Sequence, residues 1–219
     1  MMRRIAIYTS AILVAVGIAA AVAVWQGRVR PNSGYGSLDY RTIRFQDTVA
    51  SNASPVTDFA DFEFVDLQGR RTRLGDYLGR KNVVLVVTRG YPGAICIYCS
   101  TQTSRLMAQY AEIAQRDAEV VVVFPVAQAG DAGRLREFIE SSREKLTSGP
   151  REVPFPIVLD VELKVVDVLG IRRDLSKPAT YVIDKRGNVR FAYVGASRAD
   201  RPSVEAILSQ LDKLRDEQL

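Results

Sequence analysis

Val83-Val84-Leu85-Val86-Val87-Thr88-Arg89-Gly90-Tyr91-Pro92-Gly93-Ala94-Ile95-Cys96-Ile97-Tyr98-Cys99 is the stretch from which the rest of the chain is read. Its first six residues are continuous, mostly β-branched and apolar, the pattern of a strand buried on both faces. Beyond it, Leu106, Met107, Tyr110, Ile113 and Ala114 recur at helical spacing. The two cysteines of the chain, Cys96 and Cys99, therefore stand where a buried strand turns into a helix. The first turn of a helix has unpaired N–H groups and the positive end of the dipole. A thiolate placed there is stabilised, and its pKa falls below the free value of about 8.5. Cys96 falls at or before the first turn and Cys99 on the same face one turn inside, so a disulfide can close and reopen with little backbone movement. Cys96 is the expected attacking thiol and Cys99 the resolving one.

Other uses of a Cys-x-x-Cys fit less well. Zinc needs four ligands, or three and a water; the chain has no His and no further Cys. Covalent haem attachment needs His after the second Cys, and position 100 is Ser. A purely structural bridge across so short a loop removes little chain entropy. No metal and no cofactor is expected.

An apolar fraction of 47% and a charged fraction of 25% are those of an ordinary folded protein. The net charge of +5 comes from scattered residues, with Arg70-Arg71 and Arg172-Arg173 the densest pairs. Without a basic stripe interleaved with aromatics, nucleic acid is not an expected partner.

Residues 5–25 carry no charge and are almost wholly apolar, long enough to cross a bilayer, and follow Arg3 and Arg4. They read as a signal anchor within a segment of residues 1–27, or as a signal peptide cut near Ala23. Arg28, Arg30, Arg41 and Arg44 oppose the usual charge asymmetry, but long domains translocate largely regardless of charge. The domain is thus expected on the extracytoplasmic (periplasmic) side. Residues 28–54 are polar and read as a linker; residues 55–219 read as the folded domain.

Within that domain Phe62, Phe64 and Val65 make a short strand that turns at Asp66–Arg70 and returns through Thr72 and Leu74. Val120–Phe124 is a second buried strand. Leu135, Phe138, Ile139 and Leu146 lie along a helix with Asp131 a candidate N-cap. Phe155–Leu159 is extended, and Asp160 caps a small helix ending near Gly170. A strand follows Pro178, turns at Lys185–Asn188 and returns from Val189 to Val194. Val204, Ile207, Leu208, Leu211 and Leu214 mark the last helix. Strands alternating with helices and closed by a hairpin give an α/β fold, a sheet covered by helices on both faces.

With these pieces placed, the chain resembles the thioredoxin superfamily, and within it the membrane-tethered thiol–disulfide oxidoreductases and their peroxiredoxin-like (AhpC/TSA, redoxin) relatives. The opening hairpin Phe64-Val65-Asp66-Leu67-Gln68-Gly69-Arg70, the strand–Cys-x-x-Cys–helix, Pro178 before a strand, and Tyr181-Val182-Ile183-Asp184-Lys185-Arg186-Gly187 carry the resemblance. It implies a thioredoxin-like fold with a central mixed sheet and a cis Lys177–Pro178 bond facing the cysteines. Lys177 and Pro178 are then the expected substrate-binding residues, the Lys177 backbone pairing with an extended substrate. Peroxiredoxins carry Pro-x-x-x-Thr/Ser-x-x-Cys; here Pro92 is in register with Cys99, and Cys96 replaces the hydroxyl residue. Their arginine before the Phe-Ile-Ile-Asp-like strand aligns with Pro178, leaving Arg172 and Arg173 nearby. On the thioredoxin side, Ile95 replaces the usual Trp, and Val83–Thr88 lacks the buried carboxylate that takes the proton of the resolving thiol.

The expected function is that of an exported thiol–disulfide oxidoreductase acting on protein disulfides or dithiols with a redox partner. The alternatives are a thiol peroxidase with Cys99 peroxidatic and Cys96 resolving, and a non-enzymatic binding module with a structural disulfide.

Overall fold

The structure, a computed structural model, describes residues 38–54, 58–149 and 152–217. The apolar stretch at residues 5–25 lies outside the described residues. Among the described residues no helix is long and apolar enough to cross a membrane.

In chain order the elements are β1 (Glu63–Val65), β2 (Arg71–Arg73), β3 (Asn82–Val87), α1 (Ile97–Ala108), α2 (Tyr110–Ala114), β4 (Ala118–Val126), α3 (Arg134–Arg143), β5 (Ile157–Val161), α4 (Lys164–Val168), β6 (Arg172–Arg173), β7 (Leu175–Ser176), β8 (Ala179–Ile183), β9 (Val189–Val194) and α5 (Val204–Asp216). Seven strands form one sheet in the order β2-β1-β5-β4-β3-β8-β9. β3, β4 and β5 are parallel, while β8 and β9 on one side and β1 and β2 on the other run antiparallel to their neighbours. The expected mixed sheet is thus present. The small hairpin β6–β7, just before Pro178, was not expected from the sequence.

β3 and β4 are buried at every position, as unbroken β-branched runs dictate. Alternation along β3 sends Val83, Leu85 and Val87 into a core with Phe59, Phe62, Phe64, Leu163 and Tyr181. Val84 and Val86 point the other way and are equally sealed. Both faces are therefore covered. α5 packs on β8 and β9, and α1 packs against α3. Each such valine or leucine, fully buried, contributes about 1.5–3 kcal/mol, so the strand leading to the cysteines is firmly held.

Side-chain capping is local at α4 and absent at α3. Asp160, 3% exposed, accepts from the Val165 and Val166 amides at the start of α4, and Gly170 closes that helix at φ +64°. Asp131 is no N-cap: it lies in a 3-10 turn, Ala129–Gly133, that runs straight into α3. The apolar periodicity from Leu106 to Ala114 is divided by a break at Gln109, between α1 and α2.

Residues 38–54, which composition alone reads as linker, are packed on the domain. Ile43 and Phe45 are buried. Arg105 of α1 donates to the Ile43 carbonyl at 2.6 Å and lies over the Phe45 ring. Asn52 runs beside β9: its amide donates to Ala192, and its side chain pairs with the Val194 amide and carbonyl. Two apolar anchors are enough to dock a polar segment.

Candidate active site

β3 delivers the chain to the site, and Gly90 sets the turn. Gly90 adopts φ +69°, and a Cβ there would strike the Pro125 carbonyl, so only glycine fits. The turn aims the Arg89 amide at Cys99 Sγ, at 3.4 Å. Cys96 is the N-cap residue of α1 and Cys99 lies in its first turn, as expected. Both cysteines are thiols, and each is 1% exposed. α1 carries a run of buried polar residues from Ser100 to Ser104. Ser100 and Thr101 satisfy their hydroxyls on the carbonyls of Cys96 and Ile97.

Gln102, one turn beyond Cys99, holds a residue that sequence reasoning missed. Its side-chain oxygen accepts from Arg201 Nη1 at 2.8 Å. Arg201 Nη2 donates to Cys99 Sγ at 3.0 Å, and Arg201 Nε donates to the Arg198 carbonyl at 2.9 Å. Arg201 is 1% exposed, and among the described residues it forms no ion pair with a carboxylate. A buried guanidinium needs compensation, and among the described residues the Cys99 thiol lies against it.

Burial pushes the Cys99 thiol well above its ordinary value, and a hydrogen bond with Cys96 pushes the same way. The Arg201 cation and the Arg89 amide act in the opposite direction. Burial thus disfavours the Cys99 thiolate, while a cation stands 3.0 Å from its sulfur. β3 has no carboxylate facing the pair, in agreement with the sequence.

The loop bearing Arg201 is pinned from three sides. Gly195 donates to the Pro178 carbonyl at 2.8 Å. Asp200 accepts from the Tyr193 hydroxyl at 2.6 Å, from the Ala196 amide at 2.8 Å and from the Gln46 side chain. The Gln46 amide donates to the Arg201 carbonyl, and the Ser203 amide donates to the Gln46 carbonyl, both at 2.9 Å.

Two expectations at Pro178 are corrected. No peptide bond among the described residues is cis, so Lys177–Pro178 is trans. Pro178 immediately precedes β8, so the proline serves as a strand's leading residue. Nor is the Lys177 amide open to a substrate strand: it donates to the Ile171 carbonyl at 2.8 Å. Arg172 pairs with Asp167, and Arg173 donates to the Ala196 carbonyl; neither donates to a sulfur. The guanidinium absent at Pro178 enters instead from the other end of the β8–β9 hairpin. No local motif marks Arg201, whose role rests on packing across 102 positions.

A strand, a Cys-x-x-Cys at a helix N-terminus and a mixed sheet define a thioredoxin-like redox fold. The chain matches the AhpC/TSA family over residues 56–192 and belongs to it. It is 28% identical over 135 residues to the thiol-disulfide oxidoreductase ResA of Geobacillus thermodenitrificans, a match covering 62% of this chain and 66%, just under two thirds, of that relative. Among solved structures it is similar to the peroxidoxin BcpB of Mycobacterium tuberculosis, with TM-score 0.55 and 23% identity over 76% of this chain and 99% of that one. It is also similar to a peroxiredoxin 6 of Arenicola marina, with TM-score 0.59 and 16% identity over 75% and 74%.

Proposed function

We propose that the protein is a thiol–disulfide oxidoreductase whose Cys96–Cys99 pair cycles between dithiol and disulfide. The observation that carries this reading is the hydrogen-bonded thiol pair at the start of α1 with the Arg201 guanidinium 3.0 Å from Cys99 Sγ. In the reducing direction the Cys96 thiolate attacks one sulfur of the substrate disulfide. The S–S bond breaks, and the other sulfur leaves as a thiolate. Cys99 then gives up its proton, which reaches the departing thiolate directly or through water. The new Cys99 thiolate forms beside Arg201 and the Arg89 amide, attacks Cys96 Sγ and displaces the second substrate thiolate. The pair ends oxidised and the substrate reduced; a redox partner supplying two electrons as a dithiol resets it. With no carboxylate on β3 to take the proton, stabilisation of the product anion by Arg201 lowers the cost of the resolving step.

Both cysteines are sealed, so exchange with a protein disulfide requires a local opening that exposes Cys96. Export is part of the proposal and rests on the uncharged apolar residues 5–25, as an anchor or as a signal cut near Ala23.

The peroxidase reading draws on the two donors aimed at Cys99 Sγ. Trapping separates the two. Cys99→Ser should accumulate mixed disulfides through Cys96. If Cys96→Ser instead leaves a thiol that hydrogen peroxide converts rapidly to sulfenic acid, the peroxidase reading replaces disulfide exchange. If neither variant reacts faster than free cysteine, both fall and a binding module remains.

A further inference from the structure

Beside the cysteines lies a pocket of about 330 Å³. Four cations, Arg89, Arg173, Lys177 and Arg198, line it together with one carboxylate, Asp174. The pocket is joined to the thiols on two sides. The Arg89 amide donates to Cys99 Sγ, and the Arg198 carbonyl holds the Arg201 guanidinium that reaches the same sulfur. Asp174 pairs with Arg89 at 3.0 Å and so offsets one cation. Arg173 makes a single hydrogen bond, to the Ala196 carbonyl, and among the described residues neither Arg173 nor Lys177 forms an ion pair. Elsewhere on the surface the arginines mostly sit on acids, as Arg70 does on Asp66 and Arg116 on Asp212. The pocket therefore carries positive charge in excess of its one carboxylate.

We infer that this pocket selects disulfides flanked by carboxylates, which Arg173 and Lys177 bind. The inference rests on the disulfide-exchange reading and adds the substrate class to it. Guanidinium and ammonium groups facing a partly enclosed, polar cavity favour carboxylates by charge-assisted hydrogen bonds. Lys177 then contributes through its ammonium group, since its amide is already bonded within the fold. The pocket that positions the acidic segment shares Arg89 with the donors to Cys99 Sγ, so recognition and exchange occur in one encounter. An acidic peptide and a small dicarboxylate disulfide offer the same chemistry.

The test uses the reduced full-length chain and three cystine peptides that differ only in having Asp, Ser or Lys on both sides of the disulfide. The second-order rate of exchange should fall from the acidic to the neutral to the basic peptide, with about tenfold or more between acidic and neutral at low salt and less at high salt. Arg173→Ala with Lys177→Ala should bring the acidic-to-neutral ratio to about one. Arg173→Glu with Lys177→Glu should invert the order in favour of the basic peptide, an outcome a damaged protein cannot mimic. A small dicarboxylate disulfide run alongside identifies the source: preferred as strongly as the acidic peptide, it makes the ligand a small molecule; otherwise the ligand is a peptide. Equal rates for all three peptides, or a preference that survives both double variants, overturn the pocket assignment alone. If no peptide reacts faster than with free cysteine, disulfide exchange itself fails, and the pocket assignment fails with it.

Discussion

Arg201 and Cys99 stand 102 positions apart in the chain, and their side chains meet at 3.0 Å. The contact sets a buried cation against a buried thiol, and the ionisation of one is coupled to the presence of the other.

Removing that cation should move the Cys99 titration further up. In a Cys96→Ser background the thiolate absorbance of Cys99 should already rise at a pH above that of a free thiol, because burial is the leading influence. Arg201→Met, similar in bulk, should shift the rise to still higher pH. In the two-cysteine protein the same change should slow release from a mixed disulfide at least about tenfold, the effect of one charge-assisted hydrogen bond of about 1.5–3 kcal/mol. An unchanged titration in Arg201→Met would show that the guanidinium does not act on the sulfur.

Gly195→Ala should displace the loop that carries Arg201. A Cβ at 195 runs into the Asp200 carbonyl and lies 2.9 Å from Pro178 Cγ, neither of them a flexible side-chain end. We expect a loss of about 1–3 kcal/mol, the usual penalty for overpacking, together with slowed resolution. Thermal unfolding and single-turnover release read the two effects separately. A variant as stable as the parent, with normal release, rules the crowding out.

Gln46→Ala removes side-chain bonds to Tyr193 and Asp200 but leaves the backbone bridge between residue 46 and Pro202. About 1 kcal/mol of stability should be lost. The slowing of resolution should be smaller than in Arg201→Met. Equal or greater slowing would place Gln46 nearer the chemistry than its contacts do.

Asp184 gives a pH dependence of known sign. Burial alone would raise its carboxyl, but donors from Asn188, Arg186 and Arg190 outweigh burial and hold it below the ordinary value. A lowered folded value means stability that is present above the unfolded value of about 4 and lost as pH falls through the folded one. Asp184→Asn should cost about 1–2 kcal/mol near neutrality. The gap to the parent should close in chemical denaturation below about pH 4. A gap that stays constant down to low pH would falsify this account.

Much of the architecture could be read from the chain because it is written in short-range pattern. Val83–Val87 and Val120–Val123 admit little but buried strands, and Pro178, the Lys185–Asn188 turn and Val189 bound the closing hairpin within a residue. The placement of Cys96 and Cys99 at the start of a helix follows from the same local reasoning. Arg201 did not, because Ser197-Arg198-Ala199-Asp200-Arg201-Pro202 carries no periodicity that sets one of its two arginines apart, and the burial of Arg201 depends on Gln102 and Gln46 arriving from distant elements. The trans Lys177–Pro178 bond and the docked residues 38–54 were misjudged for a related reason. Family resemblance and composition describe averages, whereas Ile43, Phe45 and the Lys177 amide have particular partners.

The clamp around Arg201 bears on how this chain relates to its kin. The stretch shared with the AhpC/TSA family runs from residue 56 to residue 192. Both thiols fall inside it, while Gln46, Asp200, Arg201 and Pro202 fall outside. Both sulfurs thus lie within the shared stretch, and the cation that answers them is delivered by the flanking residues. A change confined to those flanks can therefore alter the charge that faces Cys99 without touching either cysteine.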